Sequence, residues 1–443
     1  MIDAVVVGAG LSGLTCARRL AEAGKSVRVL EARDRVGGRT LTKEVGGAVF
    51  DMGGKWIGPG QKRVGALTRE LGLETFHTHD VGRKVIVAGG ATRTYRFAIP
   101  RLSMLGLLGL ARAFATIEVT SWRLVRDEPW QGNLAKTLDS VSAEDLARRL
   151  PRDARDVFGA AIRAVFGSEP RDLSLLYFLA YQRAGGGLMN LIGVDGGAQE
   201  QRFVRGAQSL STKLAEKLGD AVTLSAPVRR ISQRDGGLDI DAGEHRAAAR
   251  FAVIALSPAL TARIVYEPAM PAPRASIGER LPMGATVKIL ALYNEAFWRA
   301  RGLSGEAVFD KGPLSVAFDN TTHGGQAALL GFIVGDHARS FASREPAERR
   351  SAVLASLAEA FGPLAGAPTA YHELDWSTEE WSGGCPVAIM PPGAMMEYGP
   401  VLRAPVGRIH WAGTETATVA TGYLEGAIEA GERAATEVLT RLA

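Results

Sequence analysis

The chain has 443 residues, of which 46% are hydrophobic and 22% charged, so we exclude long disordered segments. The net charge of +5 comes from arginines scattered along the chain, which argues against a nucleic-acid partner. Two cysteines, Cys16 and Cys385, cannot build a disulfide framework, and we expect a reducing compartment, the cytoplasm. The length predicts two domains or one large elaborated α/β unit.

The first recognisable unit is a β-strand, a glycine-rich turn, a helix and a second strand, in AVVVGAGLSGLTCARRLAEAGKSVRVLEA from Ala4. Gly8, Gly10 and Gly13 form GxGxxG: the first allows the tight turn, the second lets the backbone approach a pyrophosphate, and the third lets the helix pack on the strand. Glu31 follows the second strand, where a carboxylate can accept hydrogen bonds from ribose hydroxyls. The unit therefore predicts a bound dinucleotide.

A second set of glycines and arginines follows at once, in ARDRVGGRTLT and FDMGGKWIGPGQ. Arginines so close to a dinucleotide site can neutralise phosphate charge. The RxGGR run resembles the second signature of flavoproteins in the amine oxidase and glutathione reductase superfamily, which favours FAD over NAD. The cofactor-binding residues predicted in these two runs are Arg33, Arg39, Gly53, Gly54, Lys55 and Trp56.

The segment LSMLGLLGLARAFATIEV, residues 102–119, is the most apolar interior stretch, but it contains Arg112 and Glu118. We therefore predict a buried helix and not a membrane span.

The chain begins almost directly on a strand and ends on a helical pattern, so we expect neither a signal segment nor a membrane anchor. The seven histidines show no metal-ligand spacing, and no metal is predicted.

The C-terminal segment predicts a strand at residues 409–412, a loop at 413–422 and a helix from Tyr423. Its GTETAT and GYLEGAIEAGERAA runs resemble the flavin-containing monoamine oxidase family, as a bacterial FAD-dependent amine oxidase. The resemblance covers nearly the whole chain, through Asp51 to Gln61, Gly196 to Gly206 and Ser382 to Cys385. The helix N-terminus would stabilise negative charge on the reduced flavin ring.

The resemblance implies further cofactor contacts. Glu415 would bind the ribityl chain, the backbone at Val228 would touch adenine, and Trp376 and Leu424 would lie near the ring. Cys385 matches a cysteine that carries the flavin through a thioether in mammalian members. A covalent link through Cys385 and close non-covalent packing remain the two alternatives.

The resemblance also implies catalytic and substrate-binding residues. Lys288, in LPMGATVKILALYNEAFW, would hold a water at flavin N5, while the pattern alone is equally compatible with a strand residue facing solvent. Tyr423 would form one aromatic wall beside the substrate nitrogen, but the second wall, where eukaryotic members have tyrosine, is Pro386. The other predicted pocket residues are Leu191, Ile192, Gln199 and Phe318, for each of which core packing is the alternative.

The predicted fold is mixed α/β, with a Rossmann-like FAD-binding domain assembled from three segments, 1–75, 203–277 and 379–443. A substrate domain of sheet and helices, 76–202 and 278–378, is inserted between them.

The predicted reaction is FAD-dependent oxidation of an amine to an imine, which water hydrolyses to an aldehyde or ketone while dioxygen becomes hydrogen peroxide. The alternatives are an L-amino acid oxidase, a polyamine oxidase, for which Glu200 is a tunnel carboxylate by position only, and a desaturase or dehydrogenase of the same fold. The predicted partners are a small amine and dioxygen, and a homodimer is an open alternative.

Overall fold

The structure is a computed structural model that describes residues 1–96, 100 and 102–443. Its strands, in chain order, are β1 Ile2–Val7, β2 Val27–Leu30, β3 Thr42–Val45, β4 Ala48–Asp51, β5 Trp56–Ile57, β6 Thr75–His77, β7 Arg83–Ala88, β8 Ala91–Tyr95, β9 Gln201–Phe203, β10 Val222–Thr223, β11 Arg230–Arg234, β12 Gly237–Asp241, β13 Ala247–Ile254, β14 Val265–Glu267, β15 Thr286–Leu292, β16 Leu303–Phe309, β17 Val316–Asp319, β18 Ala328–Val334, β19 Ala370–Asp375 and β20 Ile409–Trp411.

The helices are α1 Leu11–Glu22, α2 Lys62–Glu70, α3 Met104–Trp122, α4 Ala135–Asp139, α5 Ala143–Ala147, α6 Arg152–Phe166, α7 Leu175–Ala184, α8 Leu188–Ile192, α9 Gln208–Leu218, α10 Pro258–Thr261, α11 Ala272–Arg280, α12 Phe297–Ala300, α13 Asp336–Ala342, α14 Pro346–Phe361, α15 Ala394–Leu402 and α16 Leu424–Leu442. Short 3₁₀ turns connect several of them, including Thr414–Thr416 in the predicted C-terminal loop.

The first large sheet joins the two ends of the chain to its middle. Its order is β10-β2-β1-β13-β12-β11-β14, and β20 pairs with β13. The β10, β2, β1, β13 and β20 strands run parallel, whereas β12 is antiparallel to both β13 and β11. Both faces of such a sheet are covered, which explains the unbroken apolar run of β1. Helices α1, α9 and α16 pack on one face around Leu14, Leu210 and Val438. The predicted β–α–β unit and the mixed α/β class are confirmed.

The second large sheet has the order β19-β15-β18-β17-β16-β7-β8. Side chains alternate between the two faces of a strand, so one face packs on a core that includes Val287, Ile289 and Ile333. The other face presents Lys288 and Phe332 to the site described below. The strands of this sheet fall within the predicted substrate segments, and those of the first sheet within the predicted FAD-binding segments. The exact domain boundaries stay a prediction.

Helix α3 confirms the helix predicted in residues 102–119, but the prediction that it is buried is wrong. Only 28% of its most apolar stretch is buried, and Met104, Leu105 and Trp122 are 81%, 72% and 67% exposed. The helix packs on α6 and α7 through a narrow stripe that includes Leu110 and Ile117. By length and composition alone, α3 could cross a membrane. Its apolar composition was not evidence of burial, because a helix packed along one side leaves its other faces in solvent.

Candidate active site

One continuous cavity runs from the glycine-rich turn to the face of the second sheet that carries Lys288. Its wall includes most of the residues predicted to bind a cofactor: Gly8, Gly10, Glu31, Arg33, Arg39, Gly53, Gly54, Lys55, Trp56, Val228, Trp376, Cys385 and Leu424. The predicted catalytic and pocket residues line the same cavity: Lys288, Tyr423, Leu191, Ile192, Gln199, Phe318 and Pro386. Gly13 and Glu415 do not line it, and both act from behind the wall.

The glycine-rich turn has the geometry that a dinucleotide requires. Gly8 has φ +101°, and a Cβ there would lie 2.9 Å from the carbonyl oxygen of Ala255. A Cβ on Gly13 would lie 2.0 Å from the carbonyl oxygen of Gly8, so only glycine lets α1 pack this close. Gly10 faces open space and is the N-cap of α1, with no side chain capping the helix. The free N–H groups at this helix N-terminus fit a phosphate.

Glu31 lies at the end of β2, where its carboxylate is held in place by the backbone. Oε2 accepts from the amide of Ala9 at 2.7 Å, and Oε1 accepts from the amide of Arg33 at 3.0 Å. The Arg33 guanidinium also pairs with Glu379 and donates to Ser382 Oγ at 2.8 Å. This network links the first nucleotide segment to the SGGC element, 349 residues later in the sequence.

Arg39 lines the cavity and forms a bidentate ion pair with Glu415, which lies behind the wall. The two guanidinium nitrogens donate to the Glu415 oxygens at 2.6 and 2.8 Å, and Arg39 also donates to the carbonyl oxygen of Pro386 at 2.7 Å. The Glu415 side chain is only 4% exposed, so the pair is largely desolvated. It fixes the Cys385–Pro386 segment against the C-terminal segment that leads to Tyr423.

Lys288 is buried and points into the cavity, so the alternative of a solvent-facing strand residue is excluded. Its Nζ donates to the carbonyl oxygen of Gly53 at 2.7 Å and lies 5.5 Å from the centre of the Phe332 ring. Burial lowers the pKa of Lys288 to about 8, although Asp51 opposes the shift. An amine with this pKa is poised to hold or release a proton near neutral pH.

Lys55 is a second buried lysine in the cavity wall, and its partner could not be predicted from the sequence. Its Nζ donates to Asn320 Oδ1 at 2.6 Å, and Arg202 donates to the same oxygen at 2.7 Å. Burial and the neighbouring Arg202 and Lys288 charges hold the pKa of Lys55 well below its ordinary value. Among the residues that the structure describes, no carboxylate forms an ion pair with Lys55, in a region that already carries the charges of Arg202 and Lys288.

The expected aromatic cage is built from one side. Tyr423, the N-cap of α16, packs on Tyr181 with ring centres 6.4 Å apart, and Pro386 also lines the cavity. The opposite, sheet side carries Trp56, which packs edge-on against Phe318 with ring centres 5.4 Å apart. Tyr423 thus has an aromatic neighbour in Tyr181, and Pro386 lines the cavity where the second aromatic wall was expected.

Cys385 lines the cavity but is not activated as a nucleophile. Burial raises the pKa of its thiol to about 11, and the Arg39 and Lys288 charges only partly offset the shift. The thiolate is the reactive form of cysteine, and this environment suppresses it. Elsewhere in the described ranges, no cluster of three or more His, Cys, Asp or Glu side chains is arranged to hold a metal ion.

Comparison with known proteins decides which dinucleotide this site serves. Residues 11–439 match the model of the family described as flavin containing amine oxidoreductase. The chain belongs to this family. The family implies FAD as the cofactor, and the glycine turn, the uncapped helix and the long cavity fit it. This membership also makes the chain an oxidoreductase that acts on amines.

Individual relatives agree over the full length of the chain. A Mycobacterium tuberculosis chain assigned as flavin-containing monoamine oxidase AofH is 41% identical over 444 residues, covering 100% of this chain and 97% of the relative. Amine oxidase [flavin-containing] A of Equus caballus is 37% identical, with 100% and 86% covered. The solved structure of putrescine oxidase bound to putrescine has a TM-score of 0.96 at 33% identity, covering 99% of each chain. Cyclohexylamine oxidase from Brevibacterium oxydans has a TM-score of 0.95 at 33% identity, covering 100% of this chain and 99% of that one.

Sequence reasoning missed several cavity residues on the second sheet, and two of them matter for its chemistry. Phe332 on β18 and Glu306 on β16 both line the cavity. Alternation along the strands could have placed them on one face with Lys288, but only after the strand order was known. The predicted tunnel carboxylate, Glu200, is not among the residues that line the cavity, and its Oε2 accepts from the amide of Gly196 at 2.9 Å.

Proposed function

We propose that this protein oxidises small primary amines at the carbon that bears the nitrogen and passes the electrons to dioxygen, releasing hydrogen peroxide. The observation that carries the proposal is Lys288, a buried amine that faces a cavity walled by Tyr423, Trp56 and Phe318. The relatives named as monoamine, putrescine and cyclohexylamine oxidases support an amine as the substrate class. The imine product would be hydrolysed by water to an aldehyde or ketone.

Bound FAD supplies the acceptor for a hydride equivalent from the substrate carbon. The chain's own residues provide the setting for that transfer. Trp56, Phe318 and Phe332 form an apolar wall that favours the neutral amine over its ammonium form. Tyr423 and Pro386 confine the substrate from the other side. Orientation within such a pocket, and not an acid–base side chain on the substrate, is the main contribution of the protein.

Lys288 acts as the polar group of this apolar pocket. One of its N–H groups is committed to the carbonyl oxygen of Gly53, which fixes the direction of the side chain. A lysine amine has further N–H groups, which we expect to hold a water at the cavity end. That water is suited to hydrolyse the imine or to carry protons to reduced dioxygen.

We also propose a cytoplasmic protein without a membrane anchor, with a homodimer as its simplest assembly. The two reduced cysteines support the reducing compartment. Helix α3, apolar and exposed, is the segment on which the anchor and assembly proposals depend. Sedimentation of the pure protein, with and without lipid vesicles, tests both: we expect a dimer that stays in the supernatant.

The decisive test of the reaction is product analysis. Purified holoprotein is incubated with benzylamine in air, and hydrogen peroxide and benzaldehyde are quantified. We expect one equivalent of each per amine consumed. Aldehyde formation that requires an added electron acceptor, with no peroxide, would overturn dioxygen as the acceptor, while oxidation of L-amino acids alone would move the assignment to an amino acid oxidase.

A further inference from the structure

Helix α3 carries a second stripe of residues on the side opposite to the stripe that packs on α6 and α7. The buried stripe consists of Gly106, Leu110, Ala113, Ile117 and Ser121. Successive residues of a helix are about 100° apart around its axis, so the residues directly opposite can be identified from their numbers. They are all exposed, and we call them the outer seam: Leu105, Leu108, Arg112, Ala115, Val119 and Trp122.

The outer seam has the residue spacing of a helix–helix interface. The intervals between its members alternate between three and four residues, which is the pattern by which two helices pack along their length. Helix α3 has 19 residues, so the seam extends along most of a helix about 28 Å long. Leu105, Leu108 and Trp122 are each more than half exposed, so nothing in the described ranges of the chain covers the seam.

The apolar area of this face is close to what a stable interface needs. Four large apolar side chains belong to the seam, and three further ones that are exposed flank it: Met104, Leu107 and Val125. At roughly 100 Å² each, these seven side chains approach the about 800 Å² that each partner buries in a standard interface. Contiguous apolar patches of such size on a soluble chain mark interaction sites.

The order of residues along the outer seam fits a second copy of the same helix. Large apolar residues occupy both ends of the seam, and Arg112 and Ala115 occupy its middle. In an antiparallel pair centred between these two residues, Leu105 of one copy meets Trp122 of the other. The remaining large apolar residues of the seam meet in the same way. A two-fold axis produces each contact twice, so the seam is complementary to itself.

The charges on this face favour a second copy over a lipid surface. Arg112 lies in the seam, Glu118 borders it, and both are exposed. In the antiparallel pair, Arg112 of each copy lies within one helical turn of Glu118 of the other, so two opposite-charge pairs form. A helix that lies on a membrane keeps its charged residues on the face away from the acyl chains, whereas here Arg112 is in the middle of the apolar face.

We infer that two copies of this chain associate through the outer seams of their α3 helices, which pack antiparallel about a two-fold axis. The inference rests on the proposed homodimer and names the surface that forms it. None of the described residues of α3 lines the active-site cavity. Disrupting the pair should therefore leave the oxidation of amines unchanged.

Sedimentation equilibrium of the holoprotein over a range of concentrations measures the association. We expect wild type to have a mass about twice the 46.9 kDa of one chain. Leu108→Glu buries a carboxylate in the seam from both copies, so the Kd of the dimer should rise at least about 100-fold. Leu364→Glu changes a similarly exposed leucine outside α3; it is the matched control and should remain a dimer.

An exchange of charges tests the antiparallel arrangement. Arg112→Glu places two acidic residues side by side at each predicted pair and should weaken the dimer by about tenfold or less, because exposed pairs contribute little. The double variant Arg112→Glu and Glu118→Arg should restore the wild-type Kd. A double variant that associates no better than Arg112→Glu would overturn the antiparallel pairing.

The other outcomes separate this inference from the proposals on which it rests. A dimer that persists in Leu108→Glu would overturn the inference alone, and a wild-type monomer would overturn the proposed homodimer with it. Binding of a monomer to phosphatidylglycerol vesicles, lost in Leu108→Glu, would overturn it in favour of a lipid surface. Anaerobic reduction of the flavin by benzylamine, measured on the same samples, tests the proposed reaction independently of the assembly.

Discussion

Replacement of Lys288 by methionine tests both the burial of this lysine and its role. Its pKa falls from the ordinary 10.5 to about 8, which corresponds to about 3 kcal/mol against the charged form in the fold. Methionine has a similar length and no charge, but it leaves the carbonyl oxygen of Gly53 without its donor, at a cost of about 1–3 kcal/mol. At pH 7 we therefore expect Lys288→Met to be more stable than wild type by about 1 kcal/mol.

The sign of the pH dependence follows from proton binding. Between pH 8 and 10.5, the unfolded chain holds the Lys288 proton and the folded chain does not, so wild-type stability rises with pH in this window. The advantage of Lys288→Met should shrink over the same window and then reverse, because at high pH only the cost of the unpaired Gly53 carbonyl oxygen, about 1–3 kcal/mol, remains. Chemical denaturation of the holoprotein at several pH values measures this difference. Lys43→Met, on an exposed strand position, is the control and should show no such trend.

The kinetic consequence is measured separately. Anaerobic mixing with benzylamine gives the rate of flavin reduction, and mixing the reduced enzyme with oxygenated buffer gives the rate of reoxidation. We expect Lys288→Met to keep its FAD and to slow at least one of these rates by about tenfold or more, as loss of a proton-transfer group does. If both rates match those of wild type and Lys43→Met, the reasoning about Lys288 is refuted.

Three further outcomes are expected. Because burial raises the pKa of the Cys385 thiol to about 11, FAD should be bound non-covalently, and acid precipitation of the protein should leave the flavin in solution. Flavin that precipitates with the wild-type polypeptide, but is released from Cys385→Ala, would show a covalent link through Cys385. Gly13→Ala places a methyl group 2.0 Å from the Gly8 carbonyl oxygen, so the variant should lose FAD on gel filtration, and full flavin content would contradict the close packing. Arg39→Ala leaves the Glu415 carboxylate buried and unpaired, so the free energy of unfolding in urea should fall by about 3–5 kcal/mol, and a loss below about 1 kcal/mol would show that the pair is dispensable.

The nucleotide end of the site could be predicted because its requirements are local. The GxGxxG turn, the helix and Glu31 lie within one short segment. The glycines are needed for the tight turn and the close backbone approach, and the carboxylate for hydrogen bonds to ribose, so the residue types alone indicate the function. The roles of Lys288 and Tyr423 came from resemblance. The alternation of residues along the strand could not show whether the Lys288 side chain points to solvent or to the cavity, since a strand residue can face either.

The remaining parts of the site depend on contacts between distant segments. Lys55 meets Asn320, 265 residues away, and Glu306 shares a face with Lys288 only because β17 and β18 lie between their strands. No local pattern encodes such a strand order. The prediction that α3 is buried was wrong for a related reason. The apolar composition of α3 is visible in the sequence, but its one-sided packing on α6 and α7 is not.

The most direct test of the account is anaerobic mixing of the purified holoprotein with benzylamine, an aliphatic monoamine, putrescine and an L-amino acid, following the flavin absorbance band. We expect the amines to bleach the band, an aldehyde to appear in step with the bleaching, and the amino acid to have no effect. Bleaching by the amino acid alone, or by none of the four compounds, would contradict it.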